Sequence, residues 1–87
     1  MDDIRHTPGR FELRVDGHVC ELDYQLDGGR AVFTHTGVPA ALQGRGLAAK
    51  LVEAGLAWAR DEGLKVTPAC SYVARHIERH PTWQSLL

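Results

Sequence analysis

Apolar and polar residues alternate along the first part of the chain, with the period of a strand that buries one face. The alternating segments are residues 11–15 and 18–26, and a third segment, residues 30–38, is rich in the β-branched and aromatic residues typical of strands. They are separated by Asp16-Gly17 and by Asp27-Gly28-Gly29, and these residue types tolerate the positive φ angles of tight hairpins. The pattern therefore predicts three consecutive antiparallel strands.

The period changes to that of a helix after Pro39. Apolar residues recur every three or four positions from Leu47 to Ala59, while charged residues fall on the opposite side. Gly63 suits the position just past a helix C-terminus, where the backbone turns left-handed. We expect one amphipathic helix of roughly four turns.

Two short elements follow this helix. The segment from Lys65 to Cys70 predicts a fourth strand, in which Pro68 implies an edge or bulged position because proline cannot donate to the ladder. The segment from Ser71 to His80 predicts a short helix that ends at Pro81.

The element order is β-β-β-α-β-α, and the predicted fold class is α+β. We expect a mixed, mainly antiparallel four-stranded sheet with two helices. A right-handed crossover through the long helix would place the fourth strand parallel to the third. The 87 residues suit one domain, 1–87, in which we expect residues 1–9 to be a frayed lead-in.

Composition and charge narrow the classes of function. The chain is 44% hydrophobic and 24% charged, as is ordinary for a folded domain. A formal net charge of −1 argues against a nucleic-acid partner, which usually requires a basic surface. No run approaches the ~20 apolar residues of a membrane helix. The N-terminus lacks the pattern of a signal peptide. A cytoplasmic location without a membrane partner is therefore the default expectation.

The cysteines and histidines suggest neither a disulfide nor a metal site. Cys20 and Cys70 are expected to be free thiols in a reducing compartment, with Cys20 in the core. His76 and His80 form the one histidine pair at helical i, i+4 spacing, and no cysteine or carboxylate completes a zinc pattern around them. We therefore predict no metal ligands, and we expect both histidines to face solvent.

The chemically informative segment lies where the third strand ends and the long helix begins. Gly44 and Gly46 let the backbone turn tightly and leave N–H groups uncovered. The first helical turn adds unpaired N–H groups and the positive end of the helix dipole. These features predict an anion site suited to a pyrophosphate, although the same glycines would equally serve a tight loop without a ligand. The segment matches neither a nucleotide P-loop nor the Rossmann fingerprint.

Gln43-x-x-Gly46-x-Ala48 resembles the Gln/Arg-x-x-Gly-x-Gly/Ala signature of the GNAT acetyltransferases, whose backbone amides hold the pyrophosphate of coenzyme A. Residues 35–39, 45–52 and 70–77 look like the small GNAT-like branch of that superfamily. The resemblance covers residues 10–83. It implies a GNAT-like fold and an acetyl-CoA-dependent N-acetyltransferase that acts on an unidentified amine without a metal.

The resemblance also implies where coenzyme A would lie. The strand that ends near Val38 would splay from the strand at residues 65–70, and the pantetheine arm would occupy the opening. The residues implied for the cofactor are Val38, Gln43, Gly44, Arg45, Gly46, Leu47, Ala48 and Ala49.

Three side chains are candidates for the chemistry of acetyl transfer. Tyr72 occupies the place of the superfamily's frequent acid, although it would equally suit packing of its helix onto the sheet. Cys70 is a candidate nucleophile that would form an acyl-cysteine, or a small buried residue; the resemblance favours direct transfer. His35 is a candidate base, or a strand residue bonded to its neighbour. The resemblance implies that main-chain N–H groups of residues 34–38 serve the carbonyl.

The chain departs from the GNAT pattern at Asp16-Gly17. Most GNAT domains carry one or two helices between the first two strands, and these helices build the acceptor pocket. An open acceptor side would suit a protein acceptor, or a pocket completed by a second copy of the chain in a homodimer. Two other functions stay open: a non-catalytic acyl-CoA-binding or sensing module, and an interaction module that has lost the ligand.

Overall fold

The strands of the protein form one sheet in the order β1-β2-β3-β4-β5. A computed structural model describes residues 3–87. The strands are β1 (Ile4–Thr7), β2 (Arg10–Val15), β3 (His18–Asp27), β4 (Arg30–Gly37) and β5 (Lys65–Pro68). The helices are α1 (Leu47–Asp61) and α2 (Ser71–Arg79), with 3₁₀ turns at Ala40–Leu42 and Pro81–Leu86.

The first four strands are antiparallel and β5 is parallel to β4, so the predicted mixed α+β class is confirmed. The β2–β3 hairpin turns at Asp16 (φ 51°) and Gly17 (φ 78°), as the sequence predicts. Gly63 adopts φ 71° just after α1, which is the expected helix stop.

The expectation of a frayed lead-in and four strands is wrong, because residues 4–7 form β1 at the edge of the sheet. Ile4 pairs with Leu13 of β2. The His6 ring stacks on Phe11 with a centroid distance of 4.0 Å, and its Nε2 lies 2.5 Å from the Tyr24 hydroxyl. The segment holds one apolar residue and no alternation, so its attachment through an aromatic cluster gives no periodic signal. Residues 1 and 2 of the expected lead-in lie outside the described residues.

Both α-helices pack on the same face of the sheet. Gly55 lies at the closest approach of α1, since a Cβ there would stand 2.8 Å from Leu22 Cδ2. The core combines alternate strand residues with the apolar stripe of α1 and three residues of α2 and β5: Phe11, Leu13, Cys20, Leu22, Phe33, Leu51, Val52, Leu56, Ala59, Val66, Val73 and Ile77. Helix α1 is therefore amphipathic, as predicted.

The prediction that His76 faces solvent is wrong, because its side chain is buried. Its Nε2–H donates to Glu53 Oε2 of α1 at 2.6 Å, and the Trp83 indole N–H donates to the same oxygen at 2.6 Å. Residues 81–86 bring the chain back against α1. This contact, which buries His76, could not be predicted from the spacing of the histidines within α2. His80 stays exposed, as expected.

Among residues 3–87, neither α1 nor α2 has the length and apolar character needed to cross a bilayer.

Candidate functional site

The sheet opens between β4 and β5 halfway along β4. The two strands pair from Arg30–Lys65 to Phe33–Pro68, and the Cys70 N–H then donates to the Phe33 carbonyl at 2.8 Å. Strand β4 continues to Gly37 without β5. Within residues 3–87, the edge of residues 34–37 that faces away from β3 therefore has no strand partner, and its main-chain groups border the opening.

A β-bulge in β4 decides which side chains face this opening. Tyr24 of β3 pairs with Phe33, whereas Asp23 pairs with His35, so Thr34 is the extra residue. The bulge directs His35 to the face of the sheet without helices and Thr36 to the face covered by them.

A cleft of about 400 Å³ occupies the helix-covered side of the opening. Its lining residues are Thr36, Val38, Leu42, Gln43, Gly44, Gly46, Leu47, Ala48 and Tyr72. Of the residues implied for the cofactor, all line this cleft except Arg45 and Ala49. Thr36 and Leu42 were not predicted, since no motif marks them and a bulge has no signal in this sequence.

The loop before α1 exposes its backbone to the cleft. Gly44 and Gly46 adopt φ 83° and 74°, and a Cβ on either glycine would meet no atom within 4 Å. The Gln43 side-chain amide donates to the Val38 carbonyl at 3.2 Å and ties the loop to the end of β4. Glycine at the two positive-φ positions thus lets the chain turn without a side chain over its N–H groups.

The N-terminus of α1 has free donors. No side chain caps it, and its first turn holds no acidic residue. The Lys50 N–H donates to the Gly46 carbonyl at 3.3 Å. The N–H groups of Leu47, Ala48 and Ala49 precede that bond and have no acceptor in the helix, so they and the helix dipole favour an anion.

Arg45 does not supply charge to this anion site in the structure. Its Nη1 lies 3.0 Å from Asp16 Oδ2 in the β2–β3 turn, and both side chains are exposed. The pair links the turn to the glycine loop across the surface, where ion pairs contribute little to stability.

Cys70 lies at the mouth of the opening, immediately before α2. Its Sγ is 3.4 Å from Thr36 Oγ1. Burial raises the pKa of the thiol, but the Thr36 hydroxyl and the backbone N–H groups of Val73, Tyr72 and Thr36 favour the thiolate and together lower the pKa below its ordinary value.

Tyr72 forms one wall of the cleft from the first turn of α2. Its side chain is 41% exposed, which places it at the cleft surface and not in the core. The phenol is thus placed to meet a ligand that lies against Thr36 and Ala48.

His35 belongs to a charged cluster on the open face of the sheet. Its Nε2 lies 3.4 Å from Glu21 Oε1, and the ligand atoms of His35, Glu21 and Asp23 lie within 4.8 Å of one another. Such a group could hold a cation. However, the Arg10 guanidinium already contacts Glu21 at 3.0 Å and Asp23 at 2.6 Å, so its positive charge balances these carboxylates.

The family model for GCN5-related N-acetyl-transferase matches residues 10–86. Protein NATD1 of Mus musculus is 35% identical over 82 residues, which cover 88% of this chain and 73% of that protein. Protein NATD1 of Homo sapiens is also 35% identical over 82 residues, which cover 88% of this chain and 71% of that protein.

A solved structure agrees with these matches. The NMR solution structure of a GCN5-like protein from Staphylococcus aureus superposes with a TM-score of 0.79 at 28% identity. The superposition covers 97% of this chain and 85% of that protein. With its glycine loop, free β4 edge and open cleft, the chain belongs to the GCN5-related N-acetyltransferase family, the GNAT superfamily, as a small member.

Proposed function

We propose that this protein is an acetyl-CoA-dependent N-acetyltransferase. The observation that carries the proposal is the cleft, which joins the uncapped N-terminus of α1 to the free edge of β4. The first feature suits a pyrophosphate and the second suits an extended arm that bonds to main-chain groups. Coenzyme A contains a pyrophosphate followed by an extended pantetheine arm. The family membership of the chain also supports acetyl-CoA as the acetyl donor.

Binding would begin at the glycine loop. Main-chain N–H groups of residues 44–49 would donate to the pyrophosphate, so Arg45 and Ala49 would take part through their backbone. Val38 and Thr36 would border the pantetheine arm, and the thioester would lie toward Cys70 and Tyr72.

Acetyl transfer would proceed by direct attack. The amine nitrogen would bond to the thioester carbonyl carbon while a main-chain N–H on the free edge of β4 donates to the carbonyl oxygen. The carbon–sulfur bond would then break, and the Tyr72 hydroxyl would give its proton to the departing thiolate of coenzyme A. The nitrogen would lose a proton to give the neutral amide.

A second route through Cys70 is favoured by the position of its thiol at the mouth of the opening, 3.4 Å from the Thr36 hydroxyl, where hydrogen bonds lower the pKa of the thiol. Its thiolate would attack the thioester carbonyl and release coenzyme A as the thiolate, which would take a proton from the Tyr72 hydroxyl. The amine would then attack the acetyl-cysteine and regenerate the Cys70 thiolate, and the nitrogen would lose a proton to give the amide. The routes differ in one measurable species. Incubation with acetyl-CoA in the absence of an amine adds the mass of one acetyl group to the protein by the second route and adds nothing by the first.

The amine would reach the opening from the face of the sheet without helices, where His35 lies. Gly37 keeps this approach clear, since a Cβ there would stand 3.0 Å from His35 Nε2 and 3.1 Å from Glu21 Oε1. We propose that the His35 imidazole accepts the proton that the amine loses. His35→Gln is expected to slow transfer while leaving acetyl-CoA affinity unchanged, and an unchanged rate would remove His35 from the mechanism.

The proposed activity is tested by measuring release of free thiol from acetyl-CoA in the presence of a lysine-containing peptide, a polyamine or a small primary amine. Release that requires both the protein and an amine supports an acetyltransferase. Binding of acetyl-CoA without release to any amine would instead support an acyl-CoA-binding module. Absence of binding would leave an interaction module as the function.

A further inference from the structure

A second, smaller groove adjoins the cleft on the far side of Tyr72. It has a volume of about 160 Å³ and is lined by Ala49, Tyr72, Arg75, His76, Arg79 and His80. Ala49 lies in the first turn of α1, and the other residues lie on one face of α2 or just after it. Ala48 lines the cleft and its neighbour Ala49 lines the groove, so a ligand bound at the α1 N-terminus can extend from the cleft into the groove.

The groove carries two arginines whose charge is not paired within residues 3–87. Arg75 and Arg79 are exposed, and neither forms an ion pair or a hydrogen bond with another described residue. The His80 Nδ1–H donates to the His76 carbonyl at 2.8 Å, which leaves Nε2 of the stacked His80 ring available to a ligand. Neither Glu53 nor Glu78 lines the groove, and the Glu53 carboxylate is bonded to His76 and Trp83.

The position of these arginines matters because the arginine of the glycine loop is already paired with another residue. Arg45 is paired with Asp16 across the surface. The loop offers dipoles and N–H groups, which suit the two singly charged phosphates of a pyrophosphate. A phosphate monoester carries about −1.5 to −2 charges at pH 7 and gains most from arginine, whose fork donates to two oxygens at once.

We propose that the groove binds the 3′-phosphate of coenzyme A and makes the protein selective for coenzyme A over its 3′-dephospho form. This inference rests on the proposed function, which places the pyrophosphate on the N–H groups of Leu47, Ala48 and Ala49. The ribose joins that pyrophosphate to the 3′-phosphate, and Ala49 belongs to both the loop and the groove. Arg75 and Arg79 would bind the phosphate, with His80 beside them.

The test is calorimetric titration of the full chain with coenzyme A and with 3′-dephospho-coenzyme A. Wild type is expected to bind coenzyme A about tenfold to a hundredfold more tightly, the range that charge-assisted hydrogen bonds provide. In the Arg75→Gln/Arg79→Gln double variant, affinity for coenzyme A falls to that for the dephospho form, which itself stays unchanged. Arg14→Gln is the matched control and is expected to retain full selectivity, since Arg14 is an exposed arginine on β2 whose side chain forms no ion pair or hydrogen bond with residues 3–87.

The outcomes separate this inference from the proposed function. Equal affinity of wild type for the two ligands overturns the 3′-phosphate site and leaves the acetyl-CoA cleft standing. Equal loss of both affinities in the double variant also overturns it, because the arginines would then serve the fold or the pyrophosphate. A thermal melt shows whether the variant is folded, and Arg79→Lys provides a milder second variant with a retained charge. Absence of binding by either ligand overturns the proposed function together with the inference.

Discussion

The pKa values of the two cysteine thiols, Cys20 and Cys70, are shifted in opposite directions by their environments. Cys20 is fully buried in β3, and burial raises its pKa. Cys70 is also partly buried, which raises its pKa, but hydrogen bonds from Thr36 and backbone N–H groups outweigh that effect and lower it. Cys70 should therefore hold more thiolate than Cys20 near neutral pH.

Alkylation by iodoacetamide, followed by mass spectrometry over a range of pH, measures this difference. The rate at Cys70 is expected to rise with pH through a midpoint below the ordinary thiol value, because the thiolate is the reacting form. Thr36→Val removes the side-chain hydrogen bond and is expected to shift the midpoint upward. Cys20 is the internal control and should stay unreactive until the protein unfolds. An unchanged midpoint in Thr36→Val would contradict the assigned cause.

Tyr72 is predicted to act in transfer and not in binding. Tyr72→Phe keeps the ring that lines the cleft and removes the proton donor, so kcat should fall about a hundredfold or more, as for loss of a general acid. The dissociation constant for acetyl-CoA should be unchanged by calorimetry. A variant that turns over normally would leave Tyr72 as a cleft wall only.

At the scale of elements, Glu53 joins α1, α2 and the C-terminal 3₁₀ turn. One of its oxygens accepts from both His76 and Trp83. Burial raises the pKa of the Glu53 carboxyl, but these hydrogen bonds and the charge of His76 and His80 outweigh burial and lower it. The ionised carboxylate therefore stabilises the packing that forms the small groove.

Glu53→Gln is expected to lower the free energy of unfolding by about 1 kcal/mol at pH 7, a value reduced by the exposure of the carboxylate. The melting temperature would fall by about 4–8 °C. Because the folded pKa is lowered, the stabilisation is complete above the ordinary carboxyl pKa and is lost as pH falls through the folded value. The difference between variant and wild type should shrink over that acid range.

Glu78→Gln is the matched control for this measurement, since Glu78 is exposed on α2 and makes no contact with His76 or Trp83 that would be lost. Thermal melts at several pH values should show no comparable change for Glu78→Gln. A Glu53→Gln difference that stays constant down to strongly acid pH would show that ionisation of Glu53 is not the cause.

Elements set by local chemistry could be predicted from the sequence, whereas those set by distant contacts could not. Asp16-Gly17 and Gly63 fix their turns through their own φ angles, and α1 follows from its apolar stripe. Strand β1 is held by an aromatic cluster with residues of β2, β3 and α1, which no short window contains. The burial of His76 similarly depends on Glu53 and on the returning C-terminus.

At the scale of the whole molecule, the cleft is assembled from segments far apart in the chain. The glycine loop could be predicted because backbone geometry at Gly44 and Gly46 is a local property. The placement of the His35 and Thr36 side chains on opposite faces of the sheet could not be predicted, because it follows from a bulge defined by the pairing of β4 with β3. The partnership of Thr36 with Cys70 and the groove around Arg75 and Arg79 depend on how α2 sits beside β4.

The most direct test of the proposal that the cleft binds acetyl-CoA is calorimetric titration of the wild type and of Gly46→Glu with acetyl-CoA. Glutamate at this position would bring a side chain and a negative charge to the N–H groups of the α1 N-terminus. Position 46 has φ 74° but open space around it, so a thermal melt must first show that the variant is folded. Gly28→Glu is the control, since Gly28 also has positive φ and open space but lies in the β3–β4 turn away from the cleft. Micromolar binding by wild type and Gly28→Glu that is lost in folded Gly46→Glu is the predicted result. No binding by folded wild type, or equal binding by Gly46→Glu, would contradict the assignment of the cleft to acetyl-CoA.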